Sequence, residues 1–167
     1  MSSLDRIRPN RRSLLILPLA LAACGFTPAY GPSGPAKHLQ GAIHAIDPTD
    51  KNGFDLVERI EQNFGPARDP RYDLTYTISV TSSGVGITPD AAITLYNLAG
   101  EVNWQLIDRA SGDRLTGGMV QSFTTYSATG STVSGLTAED DASLRLMRIL
   151  ADQITQRILA TSGDWAK

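Results

Sequence analysis

The stretch Tyr72-Asp-Leu-Thr-Tyr-Thr-Ile-Ser-Val-Thr81 decides the fold: Tyr72, Leu74, Tyr76, Ile78 and Val80 alternate without a break with Asp73, Thr75, Thr77, Ser79 and Thr81. Successive side chains of a strand leave on opposite faces, so a period of two predicts one packed face and one polar face. That is the pattern of an antiparallel sheet covered on one side only.

Downstream, Ser82 to Pro89 holds two glycines and a proline and predicts a turn, followed by a strand from Ala91 to Asp108 kinked near Gly100. Within it Val102, Trp104 and Leu106 alternate with Asn103, Gln105 and Ile107. Arg109-Ala-Ser-Gly-Asp113 reads as a hairpin turn, and Leu115 to Tyr126 as the next strand, with Gly117-Gly118 marking a bulge or a close backbone approach. Upstream, Leu39 to Ile46 predicts a first strand. Asn52 or Asp50 caps a helix over Phe54 to Phe64, whose Leu56, Val57, Ile60 and Phe64 share a face, and Gly65-Pro66 stops it. Thr137-Ala-Glu-Asp140 resembles a capping box opening a long last helix with a core face of Met147, Leu150, Ile154 and Ile158. The order β-α-β-β-β-α gives an α+β fold. Two helices pack on one face of a small four-stranded, largely antiparallel sheet, leaving a threonine-rich face open.

The front of the chain reads differently. Arg6, Arg8, Arg11 and Arg12 precede an apolar run from Leu14 to Ala22, the layout of an export signal. At roughly nine residues the run is far short of the ~20 that cross a bilayer as a helix. Leu21-Ala22-Ala23-Cys24 resembles a bacterial lipobox, and Cys24 is the only cysteine. A thiol without an internal partner suits an oxidising compartment when a lipid caps it, so Cys24 is the expected lipidation site. Residues 1–23 are then a signal peptide, 24–35 a Pro- and Gly-rich leash, and 36–167 the body. Gly25, where lipoproteins retained at the inner membrane carry Asp, points to the outer membrane. Arg11-Arg12 also resembles a twin-arginine signal, which leaves the export route open.

Cleavage takes away four of the 15 Lys+Arg and one of the 17 Asp+Glu, leaving a formal charge of about −5, which argues against a nucleic-acid protein. The sequence holds no Gly-x-Ser-x-Gly elbow, no P-loop, no paired-cysteine metal site and no His-Glu-x-x-His. Its two histidines, His38 and His44, would lie roughly 20 Å apart on a strand, too far to share a metal. A non-enzymatic protein with no cofactor and no metal is expected.

Several segments together resemble the LPS-assembly lipoprotein family LptE in its alphaproteobacterial form. They are Cys24-Gly-Phe-Thr-Pro-Ala-Tyr-Gly, Tyr96-Asn-Leu, Trp104-Gln-Leu-Ile-Asp-Arg-Ala-Ser-Gly, Ser122-Phe-Thr-Thr-Tyr-Ser-Ala-Thr-Gly-Ser and Leu146-Met-Arg-Ile-Leu-Ala-Asp-Gln-Ile. The resemblance spans nearly the whole processed chain. It implies two helices on a four-stranded sheet and a lipoprotein of the outer membrane, facing the periplasm and the lumen of the LptD barrel. There it would plug and help assemble LptD and help pass lipopolysaccharide to the cell surface. The chain departs from the family at Asp140, where an arginine is expected. The rival reading from the residues is an outer-membrane-tethered lipid carrier, or a lipoprotein scaffolding another periplasmic complex, with no LptD partner.

A meander of the last three strands places Arg71, Arg109 and Arg114 at one end of the sheet. There they could pair phosphates of lipid A through guanidinium forks, or stand as solvated turn residues offset by Asp69, Asp73, Asp108 and Asp113. At the other end Ser82 to Thr88 and Ser127 to Gly135 carry no charge, and could fit a barrel wall or be ordinary loop tips. The open threonine face could meet a polar barrel lumen or simply face water.

Overall fold

The computed structural model describes residues 31, 34–87, 93–128 and 132–166. The elements run β1 (Ile43–Ala45), α1 (Lys51–Phe64), β2 (Tyr72–Ile87), β3 (Ile93–Asp108), β4 (Arg114–Ser127) and α2 (Thr132–Trp165), after a short 3₁₀ turn over Pro35–His38. The strands lie in sequence order, β1-β2-β3-β4. β1 is parallel to β2, and the other two pairings are antiparallel. This is the expected α+β arrangement.

α1 starts at Lys51, three residues ahead of the expected Phe54, and three further boundaries differ from the sequence expectation for physical reasons. β1 keeps only three paired residues, because Leu39 and Gln40 turn before it and Gly41 takes a left-handed φ of 69°. β2 does not stop at Ser82: it stays paired with β3 through Ser83 and Gly84 and, after a register shift, to Ile87. The two glycines there serve close approach rather than turning. A Cβ on Gly84 would lie 2.8 Å from Ile93 Cγ2, and one on Gly86 2.9 Å from Leu95 Cβ. Finally, α2 starts at Thr132, so Thr137 is inside the helix, where its hydroxyl donates to the Val133 carbonyl at 3.0 Å instead of capping a terminus. At α1 the cap is Asp50, whose carboxylate accepts from Gly53 N at 2.7 Å.

The helices cover one side of the sheet. Leu74 of β2 and Val102, Trp104 and Leu106 of β3 are buried with Leu56, Ile60 and Phe64 of α1 and Leu146, Met147, Leu150, Ile154 and Ile158 of α2. Each such side chain contributes roughly 1.5–3 kcal/mol by leaving water. α1 and α2 are joined by a polar clasp. Arg59 Nε and Nη2 donate to the two oxygens of Asp152 at 2.9 and 3.0 Å, and Asn63 Nδ2 adds a bond to Asp152 at 2.9 Å. Partial burial pushes the Asp152 carboxyl up, but the bonds from Arg59 and Asn63 and the Arg59 charge outweigh it and hold it below its usual range.

Candidate functional site

The hairpin between β3 and β4 builds the arginine end. Asp108 Oδ1 accepts from the amides of Ala110 (2.8 Å) and Ser111 (3.0 Å), and Gly112 supplies the left-handed φ of 77° that closes the turn. Asp108 therefore spends its carboxylate on the turn. Arg109 N extends the ladder onto the Arg71 carbonyl at 2.9 Å, which fixes the two arginines side by side.

Their side chains are engaged. Arg71 Nη2 donates to the His38 carbonyl at 2.6 Å, and its guanidinium lies 5.6 Å from the centre of the Tyr72 ring. Arg109 Nε pairs with Asp73 Oδ2 at 3.1 Å, while His44 Nδ1 meets the other oxygen at 3.2 Å. Tyr72 in turn packs edge-on against Trp165 at the end of α2, with centroids 5.3 Å apart and planes at 78°. Arg71, Tyr72, Arg109 and Trp165 line one cleft of about 520 Å³. The aromatic wall was missed in the sequence; its signal was a tryptophan in the last turn of an otherwise apolar-faced helix.

Arg114 stands apart from this cleft. It shares the same end of the sheet but lies over Gly117, where a Cβ would come within 2.8 Å of its Nη2, and it lines a neighbouring hollow with Thr75, Asn103 and Met119. Among the described residues Arg114 makes no ion pair. The structure thus joins Arg71 with Arg109 and puts Arg114 next door. Of the four aspartates expected to offset them, Asp73 forms the pair with Arg109.

At the opposite end Tyr96 and Tyr126 stack, 5.3 Å between centroids and 12° between planes, and burial raises the Tyr126 hydroxyl above its usual range. Around them Val85, Ile93, Leu95, Val133 and Leu136 are exposed. This end is partly apolar, with Glu139 beside the two tyrosines. Cys24 lies outside the described residues, as do position 88 of the first uncharged loop and positions 129–131 of the second. Among the described residues no three His, Cys, Asp or Glu side chains gather as metal ligands, and no helix is long and apolar enough to cross a membrane.

Comparison with known proteins agrees with this fold. A family model named LptE and described as lipopolysaccharide-assembly matches residues 41–158. No curated protein matches the sequence. Among solved structures, a candidate lipoprotein of Caulobacter crescentus superposes with a TM-score of 0.66 at 17% identity, covering 80% of this chain and 99% of the other. Rare lipoprotein B of Shewanella oneidensis gives 0.57 at 16%, covering 74% and 96%. A minor lipoprotein of Acinetobacter baumannii gives 0.52 at 19%, covering 71% and 89%. At these identities the likeness is one of fold.

Proposed function

Since the chain belongs to the LptE family of lipopolysaccharide-assembly proteins, we propose that it is an outer-membrane lipoprotein, tethered through acylated Cys24, that plugs the LptD barrel. In that place it helps LptD assemble and helps lipopolysaccharide pass to the cell surface, with no enzymatic step of its own. The observation that carries this reading is the family match over residues 41–158, which takes in the whole sheet, α1 and most of α2.

The two ends of the body support it. The partly apolar end with its stacked tyrosines suits the wall of a barrel, and the arginine end suits the phosphates of lipid A, with Arg71 and Arg109 in one cleft and Arg114 beside it. Arg71 and Arg109 are held by a carbonyl and a carboxylate that phosphate oxygens can replace. Residues 1–23 act as the signal peptide and 24–35 as the leash between lipid and body. A lone lipid carrier needs an enclosed apolar chamber, and the hollows around the described residues open onto the surface with polar side chains in their walls.

The test is co-purification. A C-terminally tagged chain extracted from native outer membranes in mild detergent should bring down LptD in near-equal amount, identified by mass spectrometry. Recovery of the lipoprotein alone, or with an unrelated complex, refutes the plug.

A further inference from the structure

The open face of the sheet combines hydroxyls, planar amides and two exposed apolar side chains, Phe123 and Met119. Strand register arranges it in ranks. Phe123 of β4 stands beside Ala99 of β3 and Thr81 of β2, and one rank along come Gln121, Glu101 and Ser79. The next two ranks are Met119, Asn103 and Thr77, then Gly117, Gln105 and Thr75. From the first rank to the last is three steps of two residues, about 20 Å of strand.

Three properties of these ranks point to one kind of ligand. β2 contributes an unbroken row of hydroxyls, and β3 and β4 contribute planar amides beside it. Glu101 is the single ionisable side chain in the four ranks, and Asn103 Nδ2 donates to it at 2.9 Å. Against this polar field Phe123 stands 67% exposed and Met119 43%. Where the tall Phe123 meets the small Ala99, the face is hollowed by about 470 Å³, and a second open hollow of about 660 Å³ lies beside Met119, with Arg114 in its wall.

Phosphate recognition calls for a cluster of cations, and this face offers one, Arg114, which lies over Gly117 at the end next to the arginine cleft, while acyl chains need a continuous apolar wall that the amides and hydroxyls interrupt. The desolvated centre of an ordinary protein interface is apolar, whereas here the centre is amide and hydroxyl, and contact with a polar barrel lumen is the outcome that the LptD arm of the experiment below reads. Paired donors and acceptors from amides and hydroxyls match the vicinal hydroxyls of a sugar, and an exposed ring offers its apolar face to the C–H side of a pyranose. We propose that the open sheet face is a neutral oligosaccharide-binding trough, with Phe123 as the stacking platform and Asn103, Gln105 and Gln121 as hydrogen-bonding partners. This deepens the lipopolysaccharide-assembly reading and rests on it: the arginine end would take the phosphorylated lipid, and the trough the sugar chain that follows.

The experiment uses the full processed chain in detergent and three probes: intact lipopolysaccharide, the lipid-free polysaccharide released from it by mild acid, and the lipid A left behind. Isothermal calorimetry should show the polysaccharide binding. Phe123→Ala, and Asn103→Ala with Gln105→Ala, should each weaken that binding by about tenfold. Thermal unfolding and lipid A binding should stay unchanged. Polysaccharide that fails to bind while intact lipopolysaccharide binds, or that binds Phe123→Ala as well as the unaltered chain, overturns the trough and leaves the assembly reading standing. Loss of LptD recovery by Phe123→Ala with polysaccharide binding unchanged also overturns it, and makes this face a protein contact. A chain that binds none of the three probes and recovers no LptD overturns both.

Discussion

Gly100→Ala is the most direct probe of how the helices are seated on the sheet. Gly100 is buried in the middle of β3, on the side that α2 covers. A Cβ there would lie 2.9 Å from Leu146 Cδ2, 3.2 Å from Leu146 Cγ and 3.1 Å from Leu150 Cδ1, and both leucines are wholly enclosed. The added methyl must therefore displace α2 or force leucine rotamers in a close-packed core, at a cost of about 1–3 kcal/mol. The lost flexibility of the unfolded chain returns about 0.4–1 kcal/mol. A net destabilisation of about 1–2 kcal/mol follows, lowering Tm by roughly 3–8 °C. Leu146→Ala alone should cost about 2–5 kcal/mol through the cavity it leaves. In that background the methyl introduced by Gly100→Ala enters the cavity, so the two changes together should cost less than their sum by at least about 1 kcal/mol. Urea unfolding followed by fluorescence of the buried Trp104 and by circular dichroism measures all four proteins. An unchanged midpoint for Gly100→Ala, or strict additivity with Leu146→Ala, would refute the close contact between α2 and β3.

Other consequences follow from the same structure. Asp152→Asn removes the charge of the clasp between α1 and α2 and should cost about 1 kcal/mol or less, since the pair is partly exposed. The native carboxyl is held below its ordinary value, so its contribution is complete above about pH 4 and is lost as pH falls through its folded pKa. Melting curves of the two proteins should accordingly converge in acid, and a gap that persists unchanged there counts against the assignment. Cys24→Ser should abolish palmitate labelling and release the protein from membranes into the soluble fraction; labelling that survives rules out Cys24 as the acylated residue. Reversing Arg71, Arg109 and Arg114 to Glu should lower the lipopolysaccharide recovered per LptD several-fold, measured on the purified complex. Unchanged loading would assign these residues to solvated turns.

Much of this arrangement was legible because it is local. The alternation from Tyr72 to Thr81 fixes a strand and its two faces by side-chain direction alone, and the cap of α1 was narrowed to Asn52 or Asp50, of which Asp50 makes the bond to Gly53 N. The start of α2 was not legible. Once Ala142, Leu146 and Leu150 hold the helix on the core, each preceding residue adds a hydrogen bond at little cost, so the helix runs back past Thr137 to Thr132 despite the weak helix formers there.

The division of the arginines depends on a single register shift. From Leu95↔Ser127 to Leu106↔Thr116 the pairing of β3 with β4 is regular, but Ile107 then pairs with Arg114 rather than Leu115. The extra residue turns Leu115 inward, where it packs against the core, and turns Arg114 onto the open face. Without that bulge Arg114 would project on the helix side, beside Tyr72 and Asp108, and Leu115 would face outward. A one-residue bulge leaves no periodic trace in so short a strand, so the sequence could place all three arginines at one end but not divide them between faces. That division places Arg71 and Arg109 with Tyr72 and Trp165, and sets Arg114 at the foot of the trough, one cation at the junction of the two proposed binding surfaces.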